Sequence, residues 1–309
     1  MTNALVVTAL LASVTMAAGR QPLFRSGVEA VYLDVTVQAP DGSIVRGLAK
    51  EDFVIYDEEA PQEVAVFSAE PAPISVGVLI DTSGSMSGER MAAAIRAADA
   101  LGQSLQPGDQ WSISTFDSMR RTMITWRAYS PAIVNSLRAM PTSGSTELFK
   151  AVTEMVPYMK DTPHRKRAML LMTDGIDNSI ISASRDAWRD PFEAPGPRES
   201  SARAQTALRD GEVLLYALGV NVAGRAGAVH LPSLQRLAEP TGGSVIIASS
   251  MREVEAAAQR VAGELRQQYT LGFYPKNTEA KPYHRLRVTT RHPDHRVRTR
   301  AGYVTTGRQ

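Results

Sequence analysis

The residues best placed to do chemistry sit at 81–86, where Asp81-Thr82-Ser83-Gly84-Ser85-Met86 sets a carboxylate and two hydroxyls at alternate positions of a short loop. The loop follows directly on the apolar run 76–80 (VGVLI), which reads as a strand buried on both faces. In open α/β sheets ligands bind beyond the C-terminal strand ends, near the topological switch point, so this is where a ligand is expected. Oxygen donors of this kind suit a hard divalent cation such as Mg²⁺, which prefers octahedral oxygen coordination and keeps some of its water. Two further segments complete the set. Ser143-Gly144-Ser145-Thr146 precedes a predicted helix starting at Leu148, which puts the Thr146 hydroxyl at a helix N-terminus. The apolar run 169–172 ends in Thr173-Asp174-Gly175, so a second carboxylate leaves the same edge of the sheet.

Each of these residues also has a plainer role open to it. Asp81 and Asp174 suit turns, Ser83 and Ser85 are turn formers, Thr146 suits a helix cap, and Asp177 suits the job of orienting its loop. Taken singly, the plain roles win. Five in this order, each at a strand or helix end, predict a metal site built from Asp81, Ser83, Ser85, Thr146 and Asp174. Met86 and Ser87, on the loop rim, are expected to be exposed and to touch whatever binds there.

The elements that must hold these loops are legible from hydrophobic spacing. Residues 28–70 alternate like strands, with Leu33, Val35 and Val37 on one side and Asp34, Thr36 and Gln38 on the other, and Asp41-Gly42 marks a turn. From Ile74 the pattern changes to buried strands alternating with helices. Strands are predicted at 76–80, 111–116, 168–172, 213–218 and 244–248, and helices at about 91–105, 148–159, 234–238 and 254–265. That alternation argues for a doubly wound, Rossmann-like α/β unit with a mainly parallel central sheet. Met155, Met159, Met169 and Met172 fall at core spacings and Trp111 seats a strand, whereas 178–200 reads as a long surface excursion. After Tyr269 alternation returns. Arg285, Arg287 and Arg291, then Arg296, Arg298 and Arg300, predict a hairpin with one arginine-coated face, turning at His292-Pro293-Asp294-His295.

The two flanks carry opposite charge. Residues 28–70 hold ten acidic and two basic side chains, whereas 269–309 hold nine basic and two acidic ones. Neither is long enough to bury a core comfortably alone. They are therefore expected to pack together as one small β-sandwich-like domain, with charge helping to choose the pairing. The expected organisation is a leader at 1–19, an N-terminal β module at 20–73, the α/β unit at 74–267 and a C-terminal β segment at 268–309.

With these residues in view, the chain resembles a von Willebrand factor A domain with a complete metal-ion-dependent adhesion site. The likeness covers roughly 74–267. It implies that Asp81, Ser83, Ser85, Thr146 and Asp174 surround Mg²⁺ or Mn²⁺, leaving one position for an Asp or Glu carboxylate of a partner protein. Gly47-Leu48 before Glu51-Asp52-Phe53, and Tyr269-Thr270-Leu271-Gly272-Phe273-Tyr274-Pro275, are similar to exported bacterial proteins related to that family. The implied function is metal-dependent protein binding or adhesion without catalysis.

Composition narrows the field further. The absence of Cys removes thiol nucleophiles, disulfides, iron–sulfur clusters, cysteine zinc sites and lipid attachment through an N-terminal Cys. A net charge of +2 gives no reason to expect nucleic acid, and no apolar run reaches the length of a membrane span. Residues 4–14 (ALVVTALLASV), followed by Ala17, Ala18 and Gly19, predict a signal peptide and hence a periplasmic or secreted protein. The rival class is a Mg²⁺-dependent hydrolase of a phosphate ester. Against it, the metal loops contain no Lys or Arg to clamp phosphate and no His to act as base, and neither a G-x-S-x-G elbow nor a phosphate-binding G-x-x-x-x-G-K-[ST] loop occurs. His292 and His295 form H-x-x-H, a zinc pair without a third ligand in sight.

Overall fold

The computed structural model describes residues 30–177, 197–222, 229–276 and 281–305. The predicted leader at 1–19 lies outside them, as does 178–196 of the predicted excursion. Fourteen strands and six α-helices carry the described chain. Six strands form the central sheet in the order β10-β9-β8-β5-β6-β7. These are β5 (Ser75–Asp81), β6 (Gln110–Phe116), β7 (Arg120–Arg127), β8 (Arg167–Thr173), β9 (Leu214–Val220) and β10 (Val245–Ala248). All neighbours are parallel except β7, which runs antiparallel along β6.

The continuous apolar runs follow from coverage on both faces. One layer holds α1 (Glu89–Ser104) and α6 (Met251–Arg266) against Val76, Val78 and Ile80. The other holds α3 (Leu148–Lys160), α4 (Pro197–Asp210) and α5 (Leu231–Ala238) against Leu79, Met169 and Leu171. Every residue of β5 is buried, as expected for the strand at the middle of the stack. Gly77 has a packing reason: a Cβ there would sit 2.4 Å from the Met159 sulfur and 2.7 Å from Met155 Cε, so any side chain would make these two methionines move.

Within the α/β unit three elements depart from expectation. Strand β7 and the short helix α2 (Pro131–Leu137) were not anticipated, and α4 starts inside the segment read as a surface excursion. The weak signals have causes. In β7 only Ile124 is buried, while Trp126 stacks on Tyr158 at 5.4 Å, so the strand shows no apolar run. In α4 the fully buried apolar side chains are Ala204 and Leu208, too thin a stripe to read in a polar sequence.

The flanking strands form two four-stranded sheets, ordered β13-β1-β11-β4 and β14-β12-β2-β3. The first contains β1 (Val31–Gln38), β4 (Val66–Ser68), β11 (Tyr269–Phe273) and β13 (Arg296–Arg298). The second contains β2 (Phe53–Asp57), β3 (Ala60–Gln62), β12 (Tyr283–Thr290) and β14 (Gly302–Val304). Thus β1 lies between two C-terminal strands, and β12 between β2 and β14. A shared core of Leu33, Val35, Ile55, Leu271, Phe273 and Val288 joins the sheets.

The predicted arginine hairpin is not a hairpin. Strand β12 pairs with β2 whereas β13 pairs with β1, so the turn between them carries the chain from one sheet to the other. Alternation alone does not choose a strand's partner, and the arginines do not share a face. Arg287 meets Glu59 at 2.9 Å and the Arg285 backbone N–H donates to Glu58 at 2.8 Å, joining the two flanks. Arg298 and Arg300 instead reach Glu264 on α6 and Glu212 ahead of β9, tying the sandwich to the α/β unit. Exposed pairs such as Arg287–Glu59 are each worth well under about 1 kcal/mol, so the apolar core, and not charge, decides how the flanks pair.

Among the described residues no helix is long and apolar enough to cross a membrane. A chain ending at Gln268 removes the partners on both edges of β1. Limited proteolysis is expected to cut it within 30–70, where the full chain resists, and equal resistance would show that the N-terminal strands fold without the C-terminal ones.

Candidate metal centre

The sheet's connectivity creates the site. The chain leaves β5 through α1 to β6 on one side, then returns to β8 on the other, so the switch point lies between β5 and β8. Asp81 is the last residue of β5, and Asp174 follows the last residue of β8. Neither carboxylate has any accessible surface. Each is held by its own loop. Asp81 Oδ1 accepts from the Ser83 N–H at 2.9 Å and Oδ2 from the Thr173 hydroxyl at 2.6 Å. Asp174 Oδ1 accepts from the Ile176 N–H at 3.2 Å.

The Ser83 and Ser85 hydroxyls meet on this rim. Ser83 Oγ and Ser85 Oγ lie 3.1 Å apart, with Ser83 buried and Ser85 exposed, so the site opens to solvent at Ser85. The segment carrying Thr146 is stitched to this loop by two backbone bonds, Ser143 N–H to Thr82 O at 2.9 Å and Gly84 N–H to Gly144 O at 3.3 Å. Thr146 is buried, and the residue at the N-cap of α3 is Glu147. Asp177 holds the third loop against that helix, its Oδ2 accepting from the Phe149 N–H at 3.0 Å.

These donors fit a small hard cation. Neighbouring ligands of an octahedral Mg²⁺ lie about 2.9 Å apart, near the Ser83–Ser85 hydroxyl separation. Two carboxylates match the ion's charge, and burial, with a smaller contribution from the Asp174 charge, pushes the Asp81 carboxyl toward protonation. Among the described residues no three His, Cys, Asp or Glu side chains are grouped to hold a metal. A cation at this rim therefore depends on hydroxyls and water for the rest of its shell. The His292 and His295 rings are 4.8 Å apart in their turn, without a third such ligand.

Several residues correct the reading from sequence. Met86 is fully buried and anchors the loop in the α1 layer, leaving Ser87 as the exposed member of that pair. An arginine does reach the metal loops: Arg90, on the first turn of α1, donates to Ser85 O and to Asp174 Oδ2, both at 3.1 Å. A histidine also adjoins them, since the His230 N–H donates to Asp174 O at 2.9 Å while its ring bonds Ser233. Thr173 was passed over as the end of an apolar strand, yet its hydroxyl links Asp81 to the Gly175 N–H. The signal for it was a polar residue in register with Asp81 on the adjacent strand.

Comparison with known proteins agrees with this architecture. Residues 76–176 match the family model described as von Willebrand factor type A domain. Over those residues the chain is similar to a von Willebrand factor type A domain. It is 28% identical over 134 residues to Protein NorD of Brucella suis biovar 1 (strain 1330), a match covering 41% of this chain and 19% of NorD. The chain thus spans about a fifth of the length of the curated relatives it matches. Among solved structures, a von Willebrand factor type A protein from Catenulispora acidiphila superposes with a TM-score of 0.51 at 13% identity, covering 92% of this chain and 76% of that one. The pilus adhesin SpaC from Lactobacillus rhamnosus GG does so with a TM-score of 0.50 at 11% identity, over 81% of this chain and 47% of the adhesin. Both share the fold.

Burial pushes the Asp81 carboxyl up to about 6, against the opposing hydrogen bonds from Ser83 and Thr173. A folded-state value above the unfolded one means that Asp81 favours folding below pH 3.8, and that this contribution is lost as pH rises through about 6. In chelator at pH 7.5, Asp81→Asn is therefore expected to stabilise the protein by roughly 1–3 kcal/mol, a gain that fades as the pH falls toward 4. Thermal melts across that range check it, and a variant less stable than wild type at pH 7.5 would contradict it.

Proposed function

We propose that this domain is a divalent-metal-dependent protein-binding module of an exported protein, periplasmic or secreted. The observation that carries the proposal is the pair of buried carboxylates, Asp81 and Asp174, at adjacent strand ends beside two hydroxyls spaced 3.1 Å apart. In this reading Asp81, Ser83, Ser85, Thr146 and Asp174 hold Mg²⁺ or Mn²⁺. The bound cation supplies an exchangeable coordination position and a positive field for an incoming carboxylate.

The protein's own residues do the rest. Asp81 and Asp174 bring two negative charges with no accessible surface, so both are desolvated before any partner arrives. The Ser83, Ser85 and Thr146 hydroxyls add neutral oxygens that leave the cation's charge available to a visitor. Thr173 and the Ser83 N–H keep the Asp81 carboxylate in one orientation, so little reorganisation accompanies binding. Exposed Ser85 marks the side from which an Asp or Glu of a partner protein approaches. The same fold serves a pilus adhesin, which fits a module that attaches and does not turn over a substrate.

The test is a pull-down from the envelope fraction of the source cells with the purified chain as bait. Magnesium is expected to support capture of a specific partner, chelator to reverse it, and Asp81→Ala to abolish it. Capture that is indifferent to chelator and to Asp81→Ala would reject the proposal.

A further inference from the structure

We infer that Arg90 is a built-in competitor for the metal: its guanidinium occupies Asp174 and lowers the site's affinity for a divalent cation. The inference rests on the metal-binding reading above and deepens it by assigning what sets the occupancy of that site.

Arg90 stands where a cation is locally unfavourable. It is the second residue of α1, and the positive end of a helix macrodipole disfavours a positive side chain in the first turn. Its side chain is nevertheless folded inward, leaving the residue only 8% exposed. Gly88, at the N-cap of α1, has a φ of +71°, in the region that favours glycine. From there a single nitrogen, Nη1, reaches the Ser85 carbonyl and Asp174 Oδ2, each at 3.1 Å. Arg90 thus spans two of the three loops that carry the proposed ligands.

The consequence is electrostatic. Asp174 has both oxygens engaged, Oδ1 by the Ile176 N–H and Oδ2 by Arg90. A divalent cation that uses this carboxylate must share it with a fixed positive charge or displace that charge. Asp177 on the same loop turns its Oδ2 to the first turn of α3, where it accepts from the Phe149 N–H. The guanidinium at 3.1 Å cancels part of the negative charge that Asp174 would otherwise offer the ion. The buried ion pair keeps Asp174 satisfied when metal is scarce, and the ion must out-compete it. Arg90 is accordingly a positioning and charge-setting residue, not a ligand.

The experiment is calorimetric titration of the full chain with MgCl₂ at pH 7.5, comparing wild type, Arg90→Gln and Arg90→Lys. Arg90→Gln keeps a hydrogen-bond donor and loses the charge. It is expected to bind magnesium at least about tenfold more tightly, the effect one charge a few ångströms away would have on a divalent ion even at the dielectric of water. Arg90→Lys, which keeps the charge, should stay near wild type. Equal or weaker binding by Arg90→Gln overturns the inference, since a residue that only props Asp174 in place would loosen the ion when removed. Thermal melts give a second readout. Arg90→Gln should lose stability in chelator and recover it in excess magnesium, and failure to fold in both conditions contradicts the inference. If wild type itself shows no magnesium response, the metal-binding reading falls and this inference with it. If wild type responds and Arg90→Gln binds with unchanged affinity, only the inference falls.

Discussion

Two carboxylates without accessible surface, on neighbouring strands, repel one another in a medium that solvates them poorly. That arrangement governs the rest of the central unit. An isolated buried charge costs several kcal/mol, so each carboxylate must find donors or a counter-charge nearby. Asp81 takes the Ser83 N–H and the Thr173 hydroxyl, and Asp174 takes the Ile176 N–H and Arg90. Two of these contacts, from the Ser83 and Ile176 N–H groups, close within two residues of their carboxylate. The residual repulsion shows in Asp81, which burial and the Asp174 charge drive toward protonation. A divalent cation is the partner that removes both costs together.

The sheet makes the juxtaposition possible. Parallel strands put successive loops on one edge, and the reversal of strand order between β5 and β8 opens that edge where Asp81 and Asp174 emerge. Met86 adds an apolar anchor on the loop itself, holding it from below while Ser85 stays open to solvent. Far from this edge, the sandwich built from both flanks closes the chain on itself. Arg298 and Arg300 fasten it to Glu264 and Glu212, outside the candidate centre.

The sequence was legible where a pattern was local and long. Runs such as 76–80 and 169–172, buried on both faces, announced parallel strands, and the polar residues terminating them announced the candidate ligands. What escaped depended on partners distant in the chain. Strand β12 had the right alternation, but its choice of β2 over β13 is made by a core that gathers Ile55, Leu271 and Val288 from both ends. Arg90 went unremarked, since nothing local shows that Asp174, 84 residues away, draws it inward. Met86 read as exposed because it sits among loop residues, and only the packing of α1 reveals the cavity it fills. Helix α4 was hidden by its composition, being held mainly through Ala204 and Leu208.

The central claim is that side chains from three loops share one ion. Crystals grown with Mn²⁺ and measured for anomalous scattering address it most directly. The account predicts a single peak at the end of β5 and β8, bounded by the oxygens of Asp81, Ser83, Ser85, Thr146 and Asp174. Ordered protein with Mn²⁺ bound elsewhere, or with no peak at this rim under saturating metal, would contradict it.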